Sequence, residues 1–397
     1  MKTEQEHNNE QCTMNNVQWR KVRFGEFFDM LPTNTLSRDK LNDQQGEYQN
    51  IHYGDVLIKY PFCLDCNNAE IPYINDGVKF NTAEVRDGDV IFADTAEDDT
   101  VGKCVEVLNV GDRKIVSGLH TYFCRPRHKM ALGYLGYYLN SNHFHNQLLP
   151  YIAGSKVSSV NRTSIARTFI SYPADLSAQR RIAAILASAD KVIAATQKTI
   201  AKYKQIKQGM MEDLLNEQCT MNNVQWKKVK LGEGIVKSIC TGKLDANAMV
   251  EGGAYRFYTC AKDYTFIDNY AFDDEALLIS GNGEYVGYVH YYKGKFNAYQ
   301  RTYVLRGFSI DVNYLQCYLN MYLRGRIKKE MNAGSIPFIK MGTLTEMNIC
   351  YPASLAAQRR IAAILSGIDA KIAAEEKVLQ KYEKVKKGLM ERLLNEQ

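Results

Sequence analysis

The nine residues AQRRIAAIL at 178 to 186 return letter for letter at 357 to 365, and each copy opens a stretch patterned as a long amphipathic helix. In the first stretch Ile182, Leu186, Ala189, Ile193, Thr196, Ile200, Tyr203, Met210 and Leu214 alternate spacings of four and three, broken once where Lys207 takes the seam. In the second, Ile361, Leu365, Ile368, Ile372, Leu379, Tyr382, Leu389 and Leu393 follow the same template, with Glu375 and Lys386 as polar exceptions. A period of 3.5 is that of a coiled-coil seam. Each run covers about 38 residues, so at 1.5 Å per residue it predicts a rod of roughly 57 Å. One such helix alone would read as packed on its own domain. A matched pair with narrow seams predicts two rods packed on each other, setting a distance between whatever their ends carry. Arg180, Arg181, Lys191 and Lys198, with Arg359, Arg360 and Lys371, read as the solvated faces.

The repeat extends beyond the helices. NEQCTMNNVQW at 9 to 19 recurs at 216 to 226, RKVRFGE is echoed by KKVKLGE, and LLNEQ stands at both 214 to 218 and 393 to 397. The order is therefore segment, globular unit, long helix, and the same again, a cyclic pattern suited to a closed two-fold-like arrangement. It predicts the termini near the junction after the first helix. The expected division is 1–176 for a segment and first globular unit, 177–216 for the first rod, 217–355 for the second unit and 356–397 for the second rod.

Within the first unit, GDVIFAD at 88 to 94, KCVEVLNV at 103 to 110 and TFISYP before Ala174 read as strands, and 134 to 149 reads as one helix. Residues 153 to 165 read as a polar loop, and Asp175 or Ser177 caps the long helix. The second unit repeats this order with different letters: strands about a Gly-Asn-Gly turn in 273 to 292, a helix from Asn313, a loop at 333 to 344 and the strand MNICYP. Aligning Tyr134 with Tyr314 and Pro173 with Pro352 takes one single-residue gap. The fold class is α+β, two similar mixed α/β units with two long helices pairing as an antiparallel coiled coil. The frame is shared while the loops differ, as expected of two units doing one job on different targets.

A net charge of +6 over 397 residues favours a polyanionic partner. There is no charged-then-apolar leader and no run of 18 apolar residues, so neither secretion nor a membrane span is expected. Ten scattered cysteines suit a reducing cytoplasm. Cys63 and Cys66 form a CxxC without a second pair or histidines at ligand spacing, so no metal is expected. The glycine-rich GNGEYVG at 281 to 287 lies between two strands and does not open a helix, which makes it a hairpin turn and not a phosphate loop. His120, His128, His143 and His145 occur in one half only, and no catalytic constellation emerges; His120 stays open because it faces the slot of Gln300.

Binding fares better. Loops in both units interleave Lys, Arg, Ser, Thr, Asn and Gln with Tyr and Phe, and such groups suit base edges and phosphates. The candidates are Arg38, His120, Lys156, Ser158 and Arg162 in the first unit, and Lys243, Tyr258, Thr259, Asn282, Gln300, Arg301 and Lys340 in the second. Any one alone reads as loop filler; as sets at equivalent places they point to nucleic acid.

The two AQRRIAAIL openings, the rods ending MMEDLL and LMERLL, the runs YQNIHYGDVL and FNAYQRTYVL and the Gly-Ser loop before each terminal strand together resemble the specificity subunits of Type I restriction-modification systems, over essentially the whole chain. The resemblance implies two target-recognition domains, each reading one half of a split, asymmetric double-stranded DNA site, with the rods fixing the gap. It implies docking of two methyltransferase subunits that use S-adenosylmethionine, joined by restriction subunits. It also implies that this chain is not itself an enzyme and binds no cofactor. The seam residues Ile182, Leu186, Ile193, Ile200, Ile361, Leu365, Ile368, Ile372 and Leu379 would hold the spacer. The near-identical blocks at 9 to 26 and 216 to 233 suggest recombination that shuffles recognition units. A free-standing bipartite DNA-binding regulator and a purely structural coiled-coil scaffold are the alternatives.

Overall fold

The chain divides into two units, one formed by Met1–Thr196 with Val378–Gln397 and one by Gln197–Lys377, in a computed structural model that describes residues 17–98, 100–154, 157–216, 225–330 and 338–395. Most of the repeated NEQCTMNNVQW blocks, the chain termini, Lys156 and the tip of the second Gly-Ser loop lie outside the described residues. Unit 1 runs through β1 (Trp19–Arg23), α1 (Phe24–Phe27), β2 (Phe28–Leu31), β3 (Leu41–Asn42), β4 (Gln49–Ile51), α2 (Tyr53–Ile58), β5 (Cys63–Asp65) and β6 (Tyr73–Ile74). It continues with β7 (Val90–Ala93), β8 (Thr95–Ala96), β9 (Cys104–Leu108), β10 (Ile115–Ser117), β11 (Thr121–Pro126), α3 (Tyr134–Leu139), α4 (Asn142–His145), β12 (Ser158–Ser159), α5 (Arg162–Ala166) and β13 (Phe169–Pro173), and enters α6 (Leu176–Leu214).

The main sheet of unit 1 has the order β2-β11-β7-β9-β5, with β10-β4-β6-β3 as a second sheet and β1-β13 and β12-β8 as pairs. Every residue of β7 is buried, which is why its sequence is an unbroken apolar run and not an alternation. The helix expected over 134 to 149 breaks after Leu139. There Asn140 turns its side chain onto the sheet: Nδ2 donates to Cys104 O at 2.8 Å and Oδ1 accepts from Cys104 N at 3.1 Å. Ser141 then caps a new turn by accepting from Phe144 N. A side chain that satisfies strand groups outcompetes helix continuation. At the other end of α3 the buried Glu106 carboxyl accepts from Gly133 N and Gly136 N, each at 2.8 Å, and burial pushes its pKa up to about 7.

Unit 2 comprises β14 (Trp226–Lys230), β15 (Val236–Thr241), β16 (Tyr255–Tyr258), β17 (Thr265–Ile267), β18 (Phe272–Ser280), β19 (Val289–Ala298), β20 (Thr302–Phe308), α7 (Val312–Glu330), α8 (Met341–Thr345), β21 (Asn348–Pro352) and the start of α9 (Leu355–Leu393). Its sheet has the order β15-β20-β18-β19-β16-β17, and β14 pairs with β21 just as β1 pairs with β13. The sheet curls enough for the segment after β15 to meet the end of β19, through a Leu244–Tyr299 bridge.

Both long helices are 39 residues, and the division into units falls inside each. Within unit 1, Ile182 and Leu186 of α6 share one apolar core with Leu389 and Leu393 of α9, and Asp190 pairs with Lys386 at 2.5 Å. Within unit 2, Met211 of α6 shares a core with Ile361 and Leu365, while Lys204 pairs with Glu376 at 2.8 Å and Lys207 with Asp369 at 2.6 Å. In each unit rising numbers on one helix meet falling numbers on the other, so the segments run antiparallel. All the α6 seam positions are buried or half-buried, and on α9 Tyr382 is the one exposed. Each buried Ile or Leu contributes about 1.5–3 kcal/mol of transfer free energy. Two of the three polar seam exceptions are explained as well: Lys207 and Lys386 each meet an aspartate on the facing helix.

The repeated motif has a second structural reason. Gln179 and Gln358 are both buried. Gln179 donates to Pro173 O at 2.8 Å and accepts from Ala131 N at 2.9 Å; Gln358 donates to Pro352 O and accepts from Asp311 N, both at 2.7 Å. Each glutamine ties the root of its long helix to the strand before it and to the loop before α3 or α7. The helix N-terminus of α6 is capped by Asp175, which accepts from Ser177 N and Ala178 N.

Candidate nucleic-acid interface

In unit 2, β18 ends beside the start of β20, with Ser280 opposite Thr302. Gly281 N donates to Arg301 O at 2.9 Å, Ile339 N donates to Gly281 O at 2.7 Å, and the Tyr303 hydroxyl donates to Ile339 O at 2.8 Å. The Cys260 thiol also donates to Arg301 O. From the far side of the curled sheet Gly242 N donates to Thr302 O, and Gln300 N donates to Leu244 O. Asn282 bridges to Phe338. This network of main-chain bonds gathers Lys243, Thr259, Asn282, Gln300, Arg301 and Lys340 around the turn 299–301. Lys243, Gln300, Arg301 and Lys340 are exposed there, and Thr259 and Asn282 are half-buried. The packing is close: a Cβ on Gly281 would lie 2.1 Å from Arg301 O, so no side chain fits between the two strands at that point.

Tyr258 departs from its expected role. Its ring is 2% exposed and packs among Tyr264, His290, Tyr292 and Phe296. It is a core residue, with its hydroxyl 3.5 Å from Arg256 Nη1 and burial raising its pKa. The Arg256 guanidinium in turn lies over the rings of Tyr264 and Tyr292, 4.3 and 4.6 Å from their centroids.

Unit 1 builds the same frame from other letters. Asp94 N donates to His120 O at 3.1 Å, Val160 N donates to Asp94 O at 3.0 Å, and the Tyr122 hydroxyl donates to Val160 O at 2.9 Å. The register Thr121 opposite Ala93 matches Thr302 opposite Ser280. His120 is therefore the counterpart of Arg301, whereas the spacing from Tyr134 and Tyr314 places it opposite Gln300. The shared Thr-Tyr at 121–122 and 302–303 is the local signal that sets this register. His120 takes φ of 54°, its Nδ1 lies 3.4 Å from Asp94 Oδ1, and its ring sits edge-on to Tyr53 at 5.3 Å.

Arg162 lines one recess with His120, Asn34 and Asp94, and its Nη2 donates to Met30 O at 2.7 Å. Ser158 lies in β12 opposite Ala96. Arg38 is committed within the protein: its guanidinium grips the buried Asp55 carboxylate with two bonds of 2.6 and 2.7 Å, and that carboxylate raises its pKa. Arg38 thus positions α2, the helix that carries both Asp55 and Tyr53. Next to them His52 is held below the usual imidazole range, by burial first and then by the Arg38 charge. Asp94, Tyr122 and Tyr303 stand outside the sequence candidates, because their work is done by main-chain and hydroxyl bonds. Among the described residues no group of His, Cys, Asp and Glu could hold a metal ion, and no helix is long and apolar enough to cross a membrane.

Comparison with known proteins adds an independent line. The family model described as the Type I restriction modification DNA specificity domain matches residues 16–205 and again 223–384. The Type I restriction enzyme EcoDI specificity subunit of Escherichia coli is 40% identical over 174 residues, which cover 43% of this chain and 37% of that protein. The match thus spans little more than a third of that relative's length. Among solved structures, the Type-I restriction-modification system S subunit from M. genitalium superposes with a TM-score of 0.62 at 18% identity, over 96% of this chain and 98% of that one. A chain from a structure concerned with complex assembly and conformational transition of the type I R-M system gives 0.57 at 18%, over 95% and 97%. At such identity these likenesses are of fold.

Proposed function

Since the chain belongs to the family of Type I restriction-modification DNA specificity domains, we propose that it is the sequence-reading subunit of such a system, each unit reading one half of a split, asymmetric duplex site. The observation that carries this reading is a single hydrogen-bonded frame made twice, holding Arg301 at its head in one unit and His120 in the other. Two readers built alike but presenting different groups suit two half-sites of different sequence. The long helices act as the spacer, since rods of roughly 58 Å at 1.5 Å per residue match the scale of one to two duplex turns. Joining two modules makes the second binding event intramolecular, which supplies the discrimination that one module lacks.

Catalysis belongs to the partners in this reading. Two methyltransferase subunits carrying S-adenosylmethionine dock on the chain, restriction subunits join them, and this chain contributes position. Exposed Lys243 and Lys340 in one unit and Arg162 in the other supply phosphate contacts, with binding that weakens as salt rises. The test is long-read methylation sequencing of a host with and without the chain, and with residues 20 to 170 replaced by the unit of another family member. The expected result is a bipartite methylated site that vanishes without the chain and changes in one half only after the exchange. A change in both halves contradicts the modular reading, and site-specific binding with no dependent methylation favours a free-standing regulator.

A further inference from the structure

We propose that His120 and Arg301 are the specificity-determining side chains of their units, one position in the fold at which the two readers choose different bases. This rests on the specificity-subunit reading above and goes beyond it by assigning the choice to one residue in each unit. The frame that holds the position is made of main-chain bonds from Asp94 or Gly281 and from Val160 or Ile339, closed by the hydroxyl of Tyr122 or Tyr303. Such a frame is indifferent to the side chain it carries. The residues after it, Thr-Tyr, are the same in both units, and the strands on either side keep one register. The main-chain frame therefore explains why 121–122 and 302–303 share one register and leaves the side chain at 120 and 301 free to differ; in unit 1 a left-handed backbone and Asp94 fix how that side chain is presented, and recognition of different bases accounts for the choice between histidine and arginine.

The chemistry on each side fits. Arg301 stands exposed beside Gly281, where nothing but a glycine can approach, and its forked guanidinium suits the paired O6 and N7 acceptors of guanine. His120 is half-exposed, 49%, and held in three ways: a left-handed backbone that non-glycine residues rarely adopt, an Asp94 oxygen at Nδ1, and the Tyr53 ring against its side. With Nδ1 facing Asp94, Nε2 is the nitrogen left to meet a base edge. A ring fixed this firmly on an exposed turn is preorganised for contact.

The experiment takes the complex captured through a tag on the full chain and selects bound duplexes from a randomised library, for wild type, Arg301→Lys and His120→Arg. Arg301→Lys keeps the charge and loses the fork, so the guanine preference at one position of one half-site falls on the order of tenfold to a hundredfold, while the other half-site is unchanged. His120→Arg shifts a position in the other half-site and leaves the first alone. Wild-type base preferences retained in both variants overturn the inference, because Arg301 is then a phosphate contact and His120 is structural. A wild-type complex that enriches no sequence overturns the specificity-subunit reading itself, and the inference with it. Thermal melting of each variant accompanies the selection: a shifted preference at unchanged melting temperature supports the assignment, whereas loss of all binding together with melting assigns the residue to the fold.

Discussion

At the residue scale, the least visible groups in the sequence hold the most. A glutamine between alanine and two arginines reads as solvated helix surface, yet Gln179 and Gln358 are buried and each satisfies two main-chain groups. Gln179→Ala strands a buried carbonyl and a buried N–H, so it destabilises unit 1 by about 2–3 kcal/mol, measurable as a drop in urea midpoint. Glu106 makes a pH prediction. Its folded pKa of about 7 lies above the ordinary 4.5, so the folded state holds the proton more tightly than the unfolded one. Its contribution is fully present below about pH 4.5 and is lost as pH rises through 7. Amide exchange at Gly133 and Gly136, compared with a Glu106→Gln variant to cancel the intrinsic pH dependence, should speed up in wild type alone between about pH 5 and pH 8. A constant ratio would mean that Glu106 does not titrate on folding. The offset of His120 by one place comes from a loop: the path from Pro126 to Tyr134 is one residue longer than that from Gly307 to Tyr314, so spacing counted across it slips by one.

At the scale of elements, periodicity did its work where a helix is long. The 3.5 pattern located both seams, because an apolar stripe sustained over ten turns has no other use. It could not foresee the break after Leu139, since the competing bonds come from Cys104, a strand away. The polar seam positions carry a further expectation. Asp190–Lys386 is the less exposed pair, with Lys386 also over the Phe62 ring at 4.7 Å and the Tyr137 hydroxyl donating to Asp190 at 2.7 Å. Asp369–Lys207 is more open to solvent. Double-mutant cycles should therefore give a coupling of about 1–2 kcal/mol for the first and under about 1 kcal/mol for the second, after screening of the exposed groups. Equal couplings would mean that burial is not what separates them. Leu186→Ala, at a fully buried seam position, should cost about 2–5 kcal/mol, seen as loss of unit 1 protection in hydrogen exchange.

At the scale of the whole molecule, the duplication is what the sequence announces most clearly, and the two compact units cut across the rods that the repeat order sets apart. Segment order sets each rod apart, because an unbroken helix carries no sequence mark where it passes from one core to the other. The contacts instead assign Val378–Gln397 to the first unit, whose core includes Leu393 and Leu394. Deleting everything after Lys377 should strip protection from Ile182 and Leu186 while Leu277 to Leu305 stay protected, as read by hydrogen exchange of the full and shortened chains. Uniform loss would make the two cores one cooperative body.

That assignment has a consequence for synthesis. The ribosome releases Ile182 and Leu186 about two hundred residues before the leucines that cover them. At roughly 5–20 residues per second the earlier-made half waits on the order of ten to forty seconds for the last side chains of its core. The half translated first is therefore the half finished last.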